Sequence, residues 1–339
     1  MMENKEVTYS YSRLHSYHNC QYGFYLNYIK KVEGVQNIYS YLGGVTHELL
    51  EKMQVNEMTN EEAVRLFTEA YEGAEELGYK FATKSAEDGY VNSIKHYLAT
   101  FKPYVAEGVE IEKEFRLEFE GVKLLGYIDL ILVEKDGSVK VIDHKTSSEF
   151  KKADLDDYGT QLVIYGLALE QMGYNVSYLG WSMLKYGHAK FNGGRSKKIL
   201  RNKIGVHYFN KIREQLFLIG EDDEEKLDEL ALGGSILDLP KQVSDMFEVE
   251  PLMVEYKMTD EARKRVLKWI KDTVDEIETK EMLDSESLWE HLNIEEDDFF
   301  CNTLCNQRHN CKFLKAHKQS FAEENEVSLL MKELESFFD

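Results

Sequence analysis

The sequence predicts an α/β protein, with a helical N-terminal third followed by a strand-rich centre and a helical, cysteine-bearing C-terminal region. Three observations predict it. Apolar residues recur at helical spacing through most of the first hundred positions. From Val109 the pattern changes to runs rich in Val, Ile and Leu, with the tight-turn pair Asp136-Gly137 between the last two. The chain is 43% hydrophobic and 12% aromatic over 339 residues, which is enough apolar material for a packed core.

The elements follow in order. Leu14, Tyr17, Tyr25, Tyr28 and Ile29 predict one or two short helices around Cys20. Gly43-Gly44 is expected to end a loop, with a helix from Thr46 to Met53. Thr59 is a good N-cap, and Glu62 completes a capping box for the next helix. Another amphipathic helix runs up to Pro103. VEIEKEFRLEF, VKLLGYIDLILVE and SVKVIDHKT then read as three strands, followed by a helix from about Asp154 to Met172 and a strand through VSYLGWSML. A long amphipathic helix in TDEARKRVLKWIKDTVDEIE leads to the last cysteines. The expected segments are 1–107, 108–185, 186–254 and 255–339.

Charge narrows the function classes. With 41 Lys+Arg against 62 Asp+Glu, the net charge is −21, which argues against indiscriminate coating of nucleic acid or anionic membrane. No apolar run approaches the roughly 18 to 20 residues of a membrane span. The opening MMENKEVTYS has no apolar core of a secretory signal, so a cytoplasmic protein of a bacterium or phage-infected host is expected, with no membrane partner. Against this acidity, Lys185 to Arg213 holds nine basic residues and no acidic one. Arg195, Lys197, Lys198, Arg201 and Lys203 form its centre, read either as a solvated face or as the wall of a nucleic-acid groove.

The four cysteines are Cys20, Cys301, Cys305 and Cys311. Disulfides do not suit a reducing compartment. The C-x3-C-x5-C triplet with Cys20 suits zinc or a [4Fe–4S] cluster, and His309 offers zinc another ligand. Buried, chemically inert cysteines are the alternative. A shared site would staple residue 20 to residues 301–311.

Asp143 and Lys145 are two apart on one strand and share a face. Asp129 lies on the preceding strand within GYIDLIL, where a carboxylate is costly unless paired or bound to a cation. Two carboxylates and a lysine there supply oxygen ligands for Mg²⁺ or Mn²⁺ and an ammonium for developing charge, which phosphodiester hydrolysis requires. A structural ion pair is the plain alternative. His47, and the helical pair Gln161 and Tyr165, would each pass alone as a helix-surface residue.

Taken in order, SYSRLHSYHNC, LGGVTHELLE, GYIDLIL, VIDHKTS, QLVIY and CNTLCNQRHNC resemble the RecB/AddB-like branch of the PD-(D/E)XK nucleases. Members with an iron–sulfur staple, including CRISPR-associated exonucleases, are most similar. The resemblance implies a restriction-endonuclease-like core, a mixed central sheet flanked by helices. It implies His47, Asp129, Asp143 and the His144 carbonyl as metal ligands, and Lys145 as the residue that orients water or stabilises charge. Gln161 and Tyr165 would position that lysine and the DNA strand, and the four cysteines would hold a [4Fe–4S] cluster, with zinc as the runner-up. Gln21 stands where the family has proline, and the first triplet gap is three residues where two is commoner. Residues 186–254 fall outside the likeness and read as an insertion.

The expected function is therefore a metal-dependent exonuclease on single-stranded or frayed DNA ends in recombination, repair or phage DNA metabolism. The alternative is a catalytically silent DNA-binding subunit of a helicase–nuclease complex. No helicase P-loop is present, so a partner helicase or recombination protein would supply any unwinding.

Overall fold

A computed structural model describes residues 8–322; the outermost parts of the expected terminal segments, 1–7 and 323–339, lie outside the described residues. In chain order the elements are β1 (Thr8–Tyr9), α1 (Tyr11–Asn19), α2 (Gln21–Phe24), α3 (Ile38–Gln54), α4 (Asn60–Glu76), α5 (Lys84–Thr100), β2 (Gly108–Phe119), β3 (Val122–Val133) and β4 (Ser138–Lys145). Then come α6 (Leu155–Gln171), β5 (Asn175–Phe191), β6 (Lys197–Leu200), α7 (Ile204–His207), α8 (Phe209–Ile219), α9 (Glu224–Ala231), α10 (Lys241–Ser244), β7 (Phe247–Glu255) and α11 (Asp260–Leu283). The chain divides into two compact units. The larger holds Ile38–Lys268 and the smaller holds Tyr9–Asn37 with the chain from Trp269 onward.

In the larger unit, β2 to β7 build a mixed sheet flanked by helices. The pairs β2–β3 and β3–β4 are antiparallel, and β4–β5 is parallel. A parallel pair needs a crossover, which α6 provides. The first hairpin turns on Glu120 and Gly121, both at positive φ, in the two-residue manner that matches strand twist. The Asp136-Gly137 turn forms as expected, with Asp136 Oδ1 accepting from the Ser138 amide at 2.9 Å.

Three sequence expectations are corrected here. The helix carrying His47 begins at Ile38, so Gly43-Gly44 lies inside α3; buried Ile38 and Leu42 continue its apolar stripe and hold the extra turns down. β5 runs on to Phe191, because β6 and β7 supply ladder partners for its second half. Residues 186–254 are accordingly no detached insertion. They complete the sheet and bury their own cluster, with Phe191, Ile204, Tyr208, Ile212 and Leu230 at its centre.

Helices α3 to α5 pack around Leu42, Leu49, Phe67, Tyr90, Ile94 and Leu98, joined by Leu184 of β5. Each such side chain contributes about 1.5–3 kcal/mol when fully buried. Thr59 caps α4 by accepting from the Glu62 amide at 3.2 Å, as its position in the sequence predicts.

In the smaller unit, Ser10 caps α1 and accepts from the Arg13 amide. Trp289 is buried against Phe24, Tyr25 and Tyr17. Gln307 is fully buried, donating to Asn27 Oδ1 at 2.6 Å and to the Val32 carbonyl at 2.8 Å. Arg308 donates to the Val35 and Gln36 carbonyls. The cysteine-rich segment is thus tied to residues 27–36 by polar contacts of its own.

Candidate active site

The site grows from the hairpin register. Every β2–β3 pair obeys one offset, and the pairs Ile111–Leu130 and Lys113–Ile128 bracket Glu112 opposite Asp129. Glu112 has a left-handed backbone, φ +45°, of the kind that clusters at functional sites because the surroundings must hold it there. His47 enters from α3, one turn after Gly43. A Cβ at Gly43 would lie 3.4 Å from Thr146 Oγ1, an ordinary contact, so this face of α3 lies against the end of β4.

The ligand atoms of His47, Glu112 and Asp129 all lie within 4.8 Å of one another, and this is the only such group among the described residues. His47 Nδ1 is 3.4 Å from Asp129 Oδ2, and the same oxygen accepts from the His144 amide at 2.7 Å. Glu51, one turn beyond His47 on α3, lines the same pocket. Asp143 is almost wholly buried, at 1% exposure. Its Oδ2 forms an ion pair with Lys145 Nζ at 2.7 Å. Lys145 Nζ donates to Gln161 Oε1 at 2.8 Å, and Gln161 Nε2 donates to the Tyr165 hydroxyl at 2.7 Å. The spacing of Gln161 and Tyr165 along one face of α6 makes this relay possible.

Electrostatics show what the site lacks. Burial, then neighbouring Asp129, pushes the Glu112 carboxyl above its ordinary range. Burial raises Glu51 too, with Asp129 and Glu48 adding to it against His47. Asp143 is raised by burial, and Asp129 adds to this against the pull of Lys145. Asp129 is held low: burial opposes its charge, but His47, His144 and Lys145 outweigh it. Burial works against a charged His47, yet the Asp129 and Asp143 carboxylates bring its imidazole above the usual value. Four carboxylates, Glu51, Glu112, Asp129 and Asp143, share two cationic side chains, His47 and Lys145. A hard divalent cation fits that donor set.

The basic run is divided. Arg195, Lys197 and Lys203 are exposed, and Lys198 pairs with Glu149 at 2.6 Å. Arg201 is 3% exposed and internal: its guanidinium donates to the Tyr186 carbonyl and Thr100 Oγ1, meets His96 Nδ1 at 3.0 Å, and covers the Tyr97 ring. Its expected place on a DNA-facing wall is corrected, because the side chain is spent on holding β5 to α5.

In the smaller unit all four cysteines line one pocket. Cys20 caps α2 and accepts from the Gly23 amide at 3.3 Å. Cys301 lies in a π-helical turn, Phe300–Leu304, that ends at Cys305. Burial and then the other three thiols push Cys301 up to about 12; burial, then Cys20 and Cys311 among its neighbours, brings Cys305 to about 11. His309 is not among the lining residues. Gln21, the departure from family proline, accepts from Lys280 Nζ and the Glu290 amide, so the amide side chain has its own role.

Sequence reasoning missed Glu112, and gave no role to Glu51 at the end of LGGVTHELLE. The signal for Glu112 was the Glu120-Gly121 turn: counting back from it pairs Glu112 with Asp129.

A mixed sheet with acids on adjoining strands, a lysine two residues past the second acid and a cation-hungry pocket define a metal-dependent phosphodiester hydrolase. The profile of the PD-(D/E)XK nuclease superfamily matches residues 8–312, and the chain belongs to that superfamily. No curated protein matches the chain. Among the described residues, no helix is long and apolar enough to cross a membrane.

Proposed function

We propose that this nuclease is an exonuclease that degrades single-stranded or frayed DNA ends in recombination, repair or phage DNA metabolism. The observation that carries the reading is Lys145, held between Asp143 and Gln161 beside the His47–Glu112–Asp129 group. Asp129, Asp143, His47 and the His144 carbonyl, with Glu112 added, would hold Mg²⁺ or Mn²⁺. Such an ion, when bound, polarises the phosphodiester and lowers the pKa of water.

The protein's own groups do the rest. Asp143 keeps the Lys145 ammonium at the sheet end, and Gln161 fixes its direction. The ammonium then faces the phosphoryl oxygens, where charge develops as water attacks. Tyr165 restrains Gln161, so the amine does not swing away between turnovers. A histidine ligand supports exonuclease over endonuclease action by likeness to exonucleases of the superfamily.

The four cysteines support a [4Fe–4S] staple. Thiolates on one zinc ion would lie about 3.8 Å apart, from tetrahedral Zn–S bonds of about 2.3 Å. The sulfurs here are spread more widely than the 4.8 Å that groups single-ion ligands, although they share a pocket.

The test is degradation of 5′- and 3′-labelled oligonucleotides and of circular single strands with Mg²⁺ or Mn²⁺. Asp143→Ala and Lys145→Ala should abolish degradation while circles survive the wild-type enzyme. Full activity in both variants would overturn the hydrolytic assignment, and cut circles the exonuclease one. Anaerobic purification should give a brown protein, against a colourless zinc form.

A further inference from the structure

A second basic feature lies away from the metal-binding acids. The turn after β5 and the α7–α8 segment enclose a cleft of about 750 Å³, counted to its open mouth. Beneath it Phe191 and Tyr208 stack at 5.9 Å, both almost fully buried in the cluster of this region. Its rim carries Arg195, Lys197, His207 and Lys211, and no acidic residue lines it. Lys211 Nζ sits over both rings, 6.0 Å from Phe191 and 5.9 Å from Tyr208. None of Arg195, Lys197 and Lys211 has a carboxylate within 4.0 Å among the described residues, in a chain of charge −21 where acids outnumber bases by half. Burial, then Lys197 and Lys211, holds the His207 imidazole below its usual value, so these cations crowd one another. Converging exposed cations with no internal partner form a local positive field that suits the successive phosphates of a nucleic-acid strand.

We propose that this cleft is an accessory site that grips the backbone of an unpaired nucleic-acid strand, at a distance from the catalytic centre. The inference rests on the nuclease reading for what the strand is doing there. β5 sets the separation. Met183 is the register partner of Lys145, and Phe191 lies eight residues further (191 − 183), about 26 Å along an extended strand. A long strand can reach both places and a trinucleotide cannot. The cleft would hold a substrate between successive cuts, while the chemistry at Lys145 proceeds without it.

The full chain should be tested with a long labelled thymidine oligonucleotide and a trinucleotide. Binding is measured by anisotropy in EDTA over a salt series, and cleavage with Mn²⁺. Lys197→Glu with Lys211→Glu is compared with an equal charge change elsewhere, Lys80→Glu with Lys135→Glu. The cleft variant should bind the long strand at least about tenfold more weakly than the control, with a salt slope smaller by about 0.7 for each phosphate it no longer neutralises. Its trinucleotide cleavage should be unchanged. Arg195→Ala should move in the same direction by less. Equal binding by the cleft variant and the control would overturn the proposal. So would competition by polyglutamate or inorganic phosphate as strong as that by the oligonucleotide. Should the wild type cleave nothing, or Asp143→Ala cleave normally, the nuclease reading fails, and the binding contrast still judges the cleft separately.

Discussion

Glu112 lies opposite Asp129 across the β2–β3 ladder, with a left-handed backbone where its neighbours are extended. Holding a non-glycine residue there costs on the order of 1–3 kcal/mol. The carboxylate reaches His47 and Asp129 through the register of that ladder. Glu112→Gln should weaken Mn²⁺ binding about 10- to 100-fold, as removal of a site carboxylate does, with an unchanged thermal midpoint. Glu112→Gly should lose the same affinity and gain stability through relief of the backbone. Calorimetric Mn²⁺ titration and denaturant unfolding separate the two effects; a glycine variant that is less stable would contradict the strain.

Gln161 bonds to Lys145 and Tyr165 and to none of the acids proposed as metal ligands. Gln161→Ala leaves one ammonium proton without its acceptor, a loss of about 1–3 kcal/mol. The expected result is roughly a 10- to 100-fold fall in kcat with Mn²⁺ affinity unchanged. Tyr165→Phe should produce a smaller fall in the same direction. A change in metal affinity in either variant would count against the relay.

Metal binding should weaken as pH falls. His47 and Glu112 both have raised pKa values, and each must be deprotonated to act as a ligand. Protons are therefore released on binding, and affinity drops as pH descends through those raised values. Calorimetry in two buffers of different ionisation enthalpy should report net proton release near and below the histidine range. A pH-independent affinity there would exclude His47 as a ligand.

His96 predicts an acid limit to stability. Burial and then Arg201 hold its pKa down at about 3, so the folded protein keeps it neutral while the unfolded chain protonates near 6.5. Between those values the unfolded state binds more protons. Its contribution is intact above about pH 6.5 and is lost as pH falls toward 3, up to about 5 kcal/mol. His96→Gln should flatten the pH dependence of unfolding between about pH 6.5 and 4, read from urea midpoints.

Gly43 and Gly44 should respond oppositely. A Cβ at Gly44 meets nothing within 4 Å, so Gly44→Ala should stabilise α3 by about 0.5–1 kcal/mol. Gly43→Leu would drive a branched side chain into Thr146 and move His47 away from Asp129. Its signature is loss of Mn²⁺ affinity with retained helix content.

Much of this protein is written locally. The alternation and turn pairs set the strands, Thr59 and Glu62 placed a helix start, and Asp129, Asp143, Lys145, Gln161 and Tyr165 could be singled out because an acid in an Ile/Leu run and a polar pair at helical spacing carry their oddity with them. Tertiary structure decided what depends on partners distant in the chain. It placed Gly43-Gly44 within a helix, because buried Ile38 and Leu42 supply the packing that local propensity lacks. It turned Arg201 inward to Tyr97 and His96, while its neighbours Arg195 and Lys197 stayed exposed. It brought Glu112 to the metal-binding acids through register, which is a property of two strands together: a side chain's face in a hairpin follows from the count back to the turn, and only pairing reveals it.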